Sequence, residues 1–229
     1  KGKIKHQDYA RFEAKATGSL FLKNNEVYAA ATMSRHDNFL YGYDHNVYDY
    51  AKSDVKQHFQ DISVKAGIRN TAETGFRINY NPSAAISIFS NIGKLNETTF
   101  VLDVPVEKRI GDNFTIRLAA TADLTNYFTK GYVPGNYNFN NNVVQVSPAV
   151  IYNSGLLKIN AGIIPTWSNS KFEYIPDVYA EFQLKEKVFM IQAGWVGKYV
   201  KNTFRNLSAV NPYLATLTSQ TNTRETEFY

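Results

Sequence analysis

The chain has 229 residues and no cysteine, which excludes a disulfide-stapled fold. Its mean hydropathy is −0.36, and no window approaches the ~18 uninterrupted apolar residues of a helical membrane span; a β-barrel stays open, because inward polar residues dilute the average. The net charge of +5 does not mark a nucleic-acid surface, since acidic and basic residues interleave, as in Arg11-Glu13-Lys15, with no Lys/Arg cluster.

Two-residue alternation runs through the whole chain. The first segment, near 8–22, sets Ala10, Phe12, Ala14, Ala16, Gly18, Leu20 and Leu22 against Tyr9, Arg11, Glu13, Lys15, Thr17, Ser19 and Phe21. Successive side chains of a strand point to opposite faces, so this predicts one apolar wall and one charged wall. A soluble sandwich turns after five or six residues, whereas this pattern survives for roughly fifteen, the reach of a tilted strand crossing a bilayer with some overhang. A tight turn at Lys23–Glu26 leads to a second strand near 27–41, with Val27, Ala29, Ala31 and Met33 on one side. A loop rich in Tyr, Asp, His and Asn follows near 42–56, then a third strand near 57–69. After a turn at Asn70–Thr74, a fourth strand runs from Phe76 to Ile88, with Pro82 marking a bulge or break. The fifth, near 97–108, turns at Gly111-Asp112-Asn113 into a sixth beginning at Phe114. A Gly/Asn/Tyr-rich loop is expected over about 129–142. Strands seven and eight (near 143–153 and 156–168) meet at Asn153-Ser154-Gly155, and strands nine and ten (near 174–185 and 188–200) at Lys185-Glu186-Lys187.

The connections after odd strands are short, and those after even strands are mostly longer, near 42–56, 129–142 and 202–222. Outer-membrane barrels sort loop lengths this way, with short periplasmic turns and longer outer loops. The expected fold is therefore all-β: an antiparallel, up-and-down transmembrane β-barrel forming a single domain over 1–229. If the short turns are periplasmic, the first strand descends from the cell surface, while Thr223–Tyr229 begins a new strand. The expectation is about ten strands of a larger barrel, about fourteen in total, cut at both ends.

The polar parity names the expected lumen-facing residues: Arg11, Glu13, Lys15, Asp61, Lys65, Arg69, Arg77, Asp103, Glu107, Arg117, Asp123 and Glu181. Six are basic and six acidic, favouring a mutually paired interior over a one-signed ion path. The apolar parity names the expected lipid-facing residues: Phe12, Leu20, Ile78, Ile86, Leu102, Val104, Ile116, Leu118, Phe182, Ile191 and Trp195. The four histidines, His6, His36, His45 and His58, match no metal-ligand spacing, and Asp44, Asp49 and Asp54 lack the glycine and spacing of a calcium loop. Neither a phosphate loop, a nucleophile elbow nor a zinc-protease motif occurs, and Ser34 with His36 on one strand is a poor nucleophile–base pair. No cofactor, metal or catalytic residue is therefore expected.

Asp177-Val178-Tyr179-Ala180-Glu181, Ala193-Gly194-Trp195-Val196-Gly197, Asn211-Pro212-Tyr213, the Thr-rich run before Glu227-Phe228-Tyr229, and Ser34-Arg35-His36-Asp37-Asn38 carry a resemblance. They resemble Bacteroidota outer-membrane barrels labelled TonB-dependent-receptor-like, in particular members without a plug. The resemblance implies an integral barrel of the bacterial outer membrane, in contact with its lipid bilayer. Some plugless members serve as accessory subunits of larger machines, which implies partners among outer-membrane proteins or lipoproteins. The expected function is a non-enzymatic scaffold or accessory subunit; the alternative is a TonB-dependent-type transporter or porin for small solutes.

Overall fold

Every backbone amide of a strand needs a neighbour, and here neighbouring strands are consecutive in sequence. The computed structural model describes residues 8–44, 46–92, 95–133, 135–184, 189–214 and 219–229, with backbone alone for 130–133, 135 and 136. Its strands are β1 (Tyr9–Leu22), β2 (Asn25–Phe39), β3 (Lys56–Asn70), β4 (Ile78–Tyr80), β5 (Ser83–Asn91), β6 (Leu95–Ile110), β7 (Phe114–Val133), β8 (Gly135–Asn153), β9 (Leu157–Ser168), β10 (Lys171–Gln183), β11 (Met190–Val200) and β12 (Thr223–Phe228). One helix, α1 (Phe204–Val210), lies between the last two. All twelve strands belong to one antiparallel up-and-down sheet, in chain order except that β4 pairs with β6 off the main path. Barrel closure is not seen among the described residues: β1 and β12 each pair on one side only.

The two faces keep opposite chemistry across the sheet. One transverse row runs Gly18, Ala29, Ala66, Ala84, Leu102, Ala122, Val144, Trp167, Phe172, without a polar side chain. The adjacent row on the other face runs Thr17, Ala30, Lys65, Ala85, Val101, Asp123, Val143, Ser168, Lys171. A slip of one residue would exchange the faces, so the alternation pins every register. Burial runs opposite to that of a water-soluble sheet: the apolar face is exposed, whereas Glu97, Thr125, Asn141, Asn160 and Thr166 on the polar face are buried.

The polar face is concave, and one row demonstrates it. Arg117, Ala149, Gly162 and Asp177 stand side by side on β7, β8, β9 and β10. Three strand spacings on a flat sheet amount to about 14 Å. Yet the Arg117 guanidinium donates to Asp177 Oδ2 at 2.6 Å and to Asn160 Oδ1 at 3.3 Å. The sheet must curl to bring them together, and the small residues between them leave the arginine its path. A Cβ on Gly162 would stand 2.9 Å from the Ala149 Cβ and 3.0 Å from Asp177 Oδ2.

Two sequence expectations are corrected, and one break falls where it was expected. The segment 129–142 is not a loop: β7 and β8 stay paired through Thr129 and Tyr137, and after a register irregularity meet again at Val133 and Gly135. Asn126 donates to Asn138 Oδ1 and Asn140 Oδ1, both at 2.9 Å, and the Tyr127 ring stacks on Phe139 at 4.5 Å, so side chains support the extension. The fourth strand breaks at the expected place, into β4 and β5 around Asn81-Pro82, where proline interrupts the ladder. Arg77 precedes β4 in a turn, at φ 55°, and donates to the Gly111 carbonyl at 3.0 Å; it does not stand in the polar row of a strand.

Substituting Gly162 by valine should push Arg117 off Asp177 and lower stability by about 1–3 kcal/mol, the usual cost of overpacking a filled site. Denaturant midpoints of the variant and of Gly162→Ala would check this; equal midpoints for Val and wild type would refute the packing account.

Candidate functional site

The polar face does not stand empty. After β11 the chain turns onto the concave side, and its described part, 201–214 and 219–222, lies across β3 and β5 to β9 as a strap. Four kinds of contact hold it.

At its start, Lys201 Nζ donates to the Asp123 carboxylate, to the Asp123 carbonyl at 2.9 Å and to Thr125 Oγ1 at 2.7 Å. Burial pulls this ammonium below its ordinary range, against the opposing pull of Asp123. Thr203 caps the helix by accepting from the Asn206 N–H at 3.1 Å. The Phe204 N–H, one of the helix's unpaired donors, reaches Glu97 Oε2 at 2.7 Å. Glu97 is only 2% exposed, so this bond satisfies a carboxylate that would otherwise be costly to bury. Arg205 forms an ion pair with Asp61.

The Phe204 side chain fills an apolar nest made by Phe59, Phe89, Leu95 and Tyr127, with ring centroids 6.1 to 6.5 Å from its own. These four side chains occupy inward positions, where the alternation otherwise places polar groups. At the far end an amide cluster ties the strap back. Asn141 Nδ2 donates to the Asn202 carbonyl at 2.8 Å and to Asn222 Oδ1 at 2.9 Å, while Asn222 Nδ2 returns bonds to Asn141 Oδ1 at 2.7 Å and Ser168 Oγ at 2.9 Å.

Among the residues expected to face a lumen, Arg11, Glu13, Lys15, Asp61, Lys65, Arg69, Asp103, Glu107, Arg117, Asp123 and Glu181 share the polar face, and Arg77 does not. Asp61 and Asp123 meet the strap, and Arg117 meets Asp177. Arg11 pairs with Glu13 at 2.6 Å and Arg69 with Glu26 at 2.7 Å. Asp103 accepts from Thr121 at 2.9 Å, and Glu181 from Gln192 at 3.1 Å. The residues expected to face lipid all fall on the apolar face: Phe12, Leu20, Ile78, Ile86, Leu102, Val104, Ile116, Leu118, Phe182, Ile191 and Trp195.

His36 stands with its Nδ1 3.4 Å from the Tyr9 hydroxyl, and no hydrogen bond joins it to Ser34 among the described residues. His58 lies on the other face at 2.5 Å from Asp37. His6 and His45 fall outside the described residues. Asp44 and Asp54 cap turns of their own loop, accepting from the Asn46 N–H at 2.9 Å and the Ala51 N–H at 3.1 Å. A cavity of about 430 Å³ opens between the strap and β1–β3, lined by Tyr9, Arg11, His36, Asp61, Arg205 and Pro212 among others. Both guanidiniums there are already held by a carboxylate, Glu13 and Asp61.

The strap, with Glu97, Asn141 and the Phe204 nest, was not foreseen from the sequence. Its signal was the run of inward aromatics, Phe59, Phe89 and Tyr127, which breaks the polar parity at one end of three strands.

Comparison with known proteins adds no relative: no family model, curated protein or solved structure matches this chain.

Phe204→Ala should cost the strap about 3 kcal/mol of anchoring, the low end for emptying a buried aromatic site. Limited proteolysis should then cut within 201–214 roughly 100-fold faster. Unchanged cleavage would mean that the nest does not hold the strap.

Proposed function

We propose that this chain is a membrane-spanning wall of an outer-membrane β-barrel, non-enzymatic, serving as a scaffold or accessory subunit of a larger outer-membrane complex. The observation that carries this reading is the inversion of the two faces. In water, a face bearing Leu20, Ile86, Leu118, Ile163 and Phe182, each 40% exposed or more, would be a severe aggregation hazard. In a bilayer the same face is solvated by acyl chains, while the concave polar face is shielded from them.

The dimensions support the reading. On β7 the apolar parity runs from Phe114 to Leu124, then gives way to Asn126. Ten residue steps span about 33 Å along a strand. Tilted by about 40°, that becomes a band roughly 25 Å tall, the height of an outer-membrane barrel's apolar belt. Aromatic side chains gather at its margins. Phe114 meets Tyr152 at 5.0 Å at the turn end, and Trp167, Phe172 and Tyr174 cluster at 4.7 to 4.9 Å at the other. Such rings suit the headgroup level, where one edge is wet and the other greasy.

The strap favours a sealed scaffold over an open pore. It lays a helix across the concave face, and the charges it meets are engaged in pairs. A partner protein or lipoprotein then accounts for the protein's work better than solute flow does. Stoichiometric partners should accompany the protein out of native membranes, and planar bilayers should show little conductance. A steady, large conductance from a lone barrel would favour the transporter or porin reading.

Leu118→Arg is the direct test of the lipid assignment. Leu118 is 52% exposed, so in water the change should cost almost nothing. Within a bilayer's apolar belt it should cost about 2–4 kcal/mol, read as a shift in unfolding free energy in lipid vesicles. A neutral substitution there would remove the basis for placing this face against lipid.

A further inference from the structure

On the outward face the apolar parity of β2, β3 and β5 ends in one transverse row, Met33, Ile62 and Ile88. Beyond it, toward the loop end, the paired outward positions on β2 and β3 are Arg35 and Gln60, then Asp37 and His58, then Phe39 and Lys56. Among strand residues with described side chains, Asp37 is the one carboxylate on the outward face. Two to four residue steps beyond Met33 and Ile62 amount to about 7–13 Å along a strand, or about 5–10 Å of height at a 40° tilt. The headgroup layer of a bilayer is about 5–8 Å deep on each side. Granted the membrane reading, this cluster stands at headgroup level.

Three basic side chains converge on that carboxylate. Lys56 Nζ stands 3.1 Å from Asp37 Oδ2, the Arg35 guanidinium 3.5 Å from the same oxygen, and His58 Nδ1 2.5 Å from Oδ1. Two permanent cations against one carboxylate leave a net charge of +1, and +2 when His58 is protonated. The buried Phe39 ring underlies the same patch, with Lys52 and Lys56 at 4.9 and 5.8 Å from its centroid. Lys52 is itself engaged by Asp8. Neutralising Asp37 would take one cation, so the other is surplus. Asp37 fixes the cluster, while the half-exposed Arg35 keeps most of its N–H donors for a further acceptor.

We propose that Arg35 and Lys56, held in place by Asp37 beside His58, form a site for the phosphate of a lipid headgroup in the leaflet at the loop end. This inference rests on the membrane reading above and goes beyond it, since an apolar belt needs no cation at its margin. The position selects a lipid as the occupant. Acyl chains lying on Met33, Ile62 and Ile88 bring a headgroup to the level of the two cations. Arginine's planar fork suits two phosphate oxygens at once, and the lysine ammonium adds a point charge beside them.

The test titrates the full protein in detergent with dimyristoyl phosphatidic acid and reads the lipid-bound fraction by native mass spectrometry. Arg35→Gln with Lys56→Gln should weaken binding about 30-fold, and either change alone about fivefold. Dimyristoylglycerol, the same lipid without its phosphate, should bind wild type and double variant alike. Lys15→Gln with Lys65→Gln removes the same charge from the inward face and should leave phosphatidic acid binding unchanged. Equal binding by wild type and the Arg35/Lys56 variant, or an equal loss in the inward variant, would overturn the proposal. So would displacement by inorganic phosphate at equal concentration, which would make the cluster a site for a free anion. Both tryptophans, Trp167 and Trp195, stand on the outward parity, so brominated acyl chains in phosphatidylcholine vesicles test the membrane reading separately. Their quenching in the double variant shows that it inserts. Quenching without a difference in phosphatidic acid binding sinks the site alone, whereas no quenching of wild type sinks the membrane reading and the site with it.

Discussion

Side chains of a strand repeat every second residue, and in this protein that period is held in phase across eleven strand positions. The phase is what separates the chain into two chemistries. The inward row through Glu13, Ser34, Asp61, Phe89, Glu97, Tyr127 and Phe139 and the outward row through Ala16, Ala31, Val64, Ile86, Phe100 and Leu124 never mix. Neither the strap nor the curvature would have a surface to act on without it. Backbone hydrogen bonds tolerate any register; the side chains choose one.

Curvature and strap then depend on each other through residue size. On β7 to β10 the small pair Ala149 and Gly162 lets the polar face curl until Arg117 reaches Asp177. On β3 to β7 the opposite device operates. Phe59, Phe89, Leu95 and Tyr127 are large inward residues, and the space they leave is filled from another segment by Phe204. The buried cluster of large apolar side chains on the polar face thus forms where the strap docks. The buried Glu97 is tolerated there because the start of α1 supplies its donor.

Much of this was legible in the sequence, because period two needs no tertiary information. Positions such as Leu102, Leu118 and Trp195, or Lys15, Asp103 and Arg117, could be sorted to faces by counting alone. What was not legible depends on contacts between distant segments. Residues 129–142 are rich in asparagine and glycine and read as a loop, yet Asn126 with Asn138 and Asn140 forms cross-strand amide pairs that continue the hairpin. Arg77 sits three residues past the expected end of a turn, and its positive φ removes it from the strand that its parity suggested. The strap escaped because the 22-residue connection from 201 to 222 carries seven residues of helix among its described residues, and its anchoring lies in residues of other strands.

The distribution of unsatisfied surface is uneven, and that unevenness has physical content. Strap and ion pairs occupy the polar face from β3 onward: Arg205 with Asp61, Lys201 with Asp123, Arg117 with Asp177. On β1 and the adjoining parts of β2 and β3, Lys15 and Lys65 stay exposed, and neither has an ion-pair partner among the described residues. The strap thus binds its part of the polar face across several strands, whereas the pairs at the β1 side, Arg11 with Glu13 and Arg69 with Glu26, join residues of the same or of neighbouring strands.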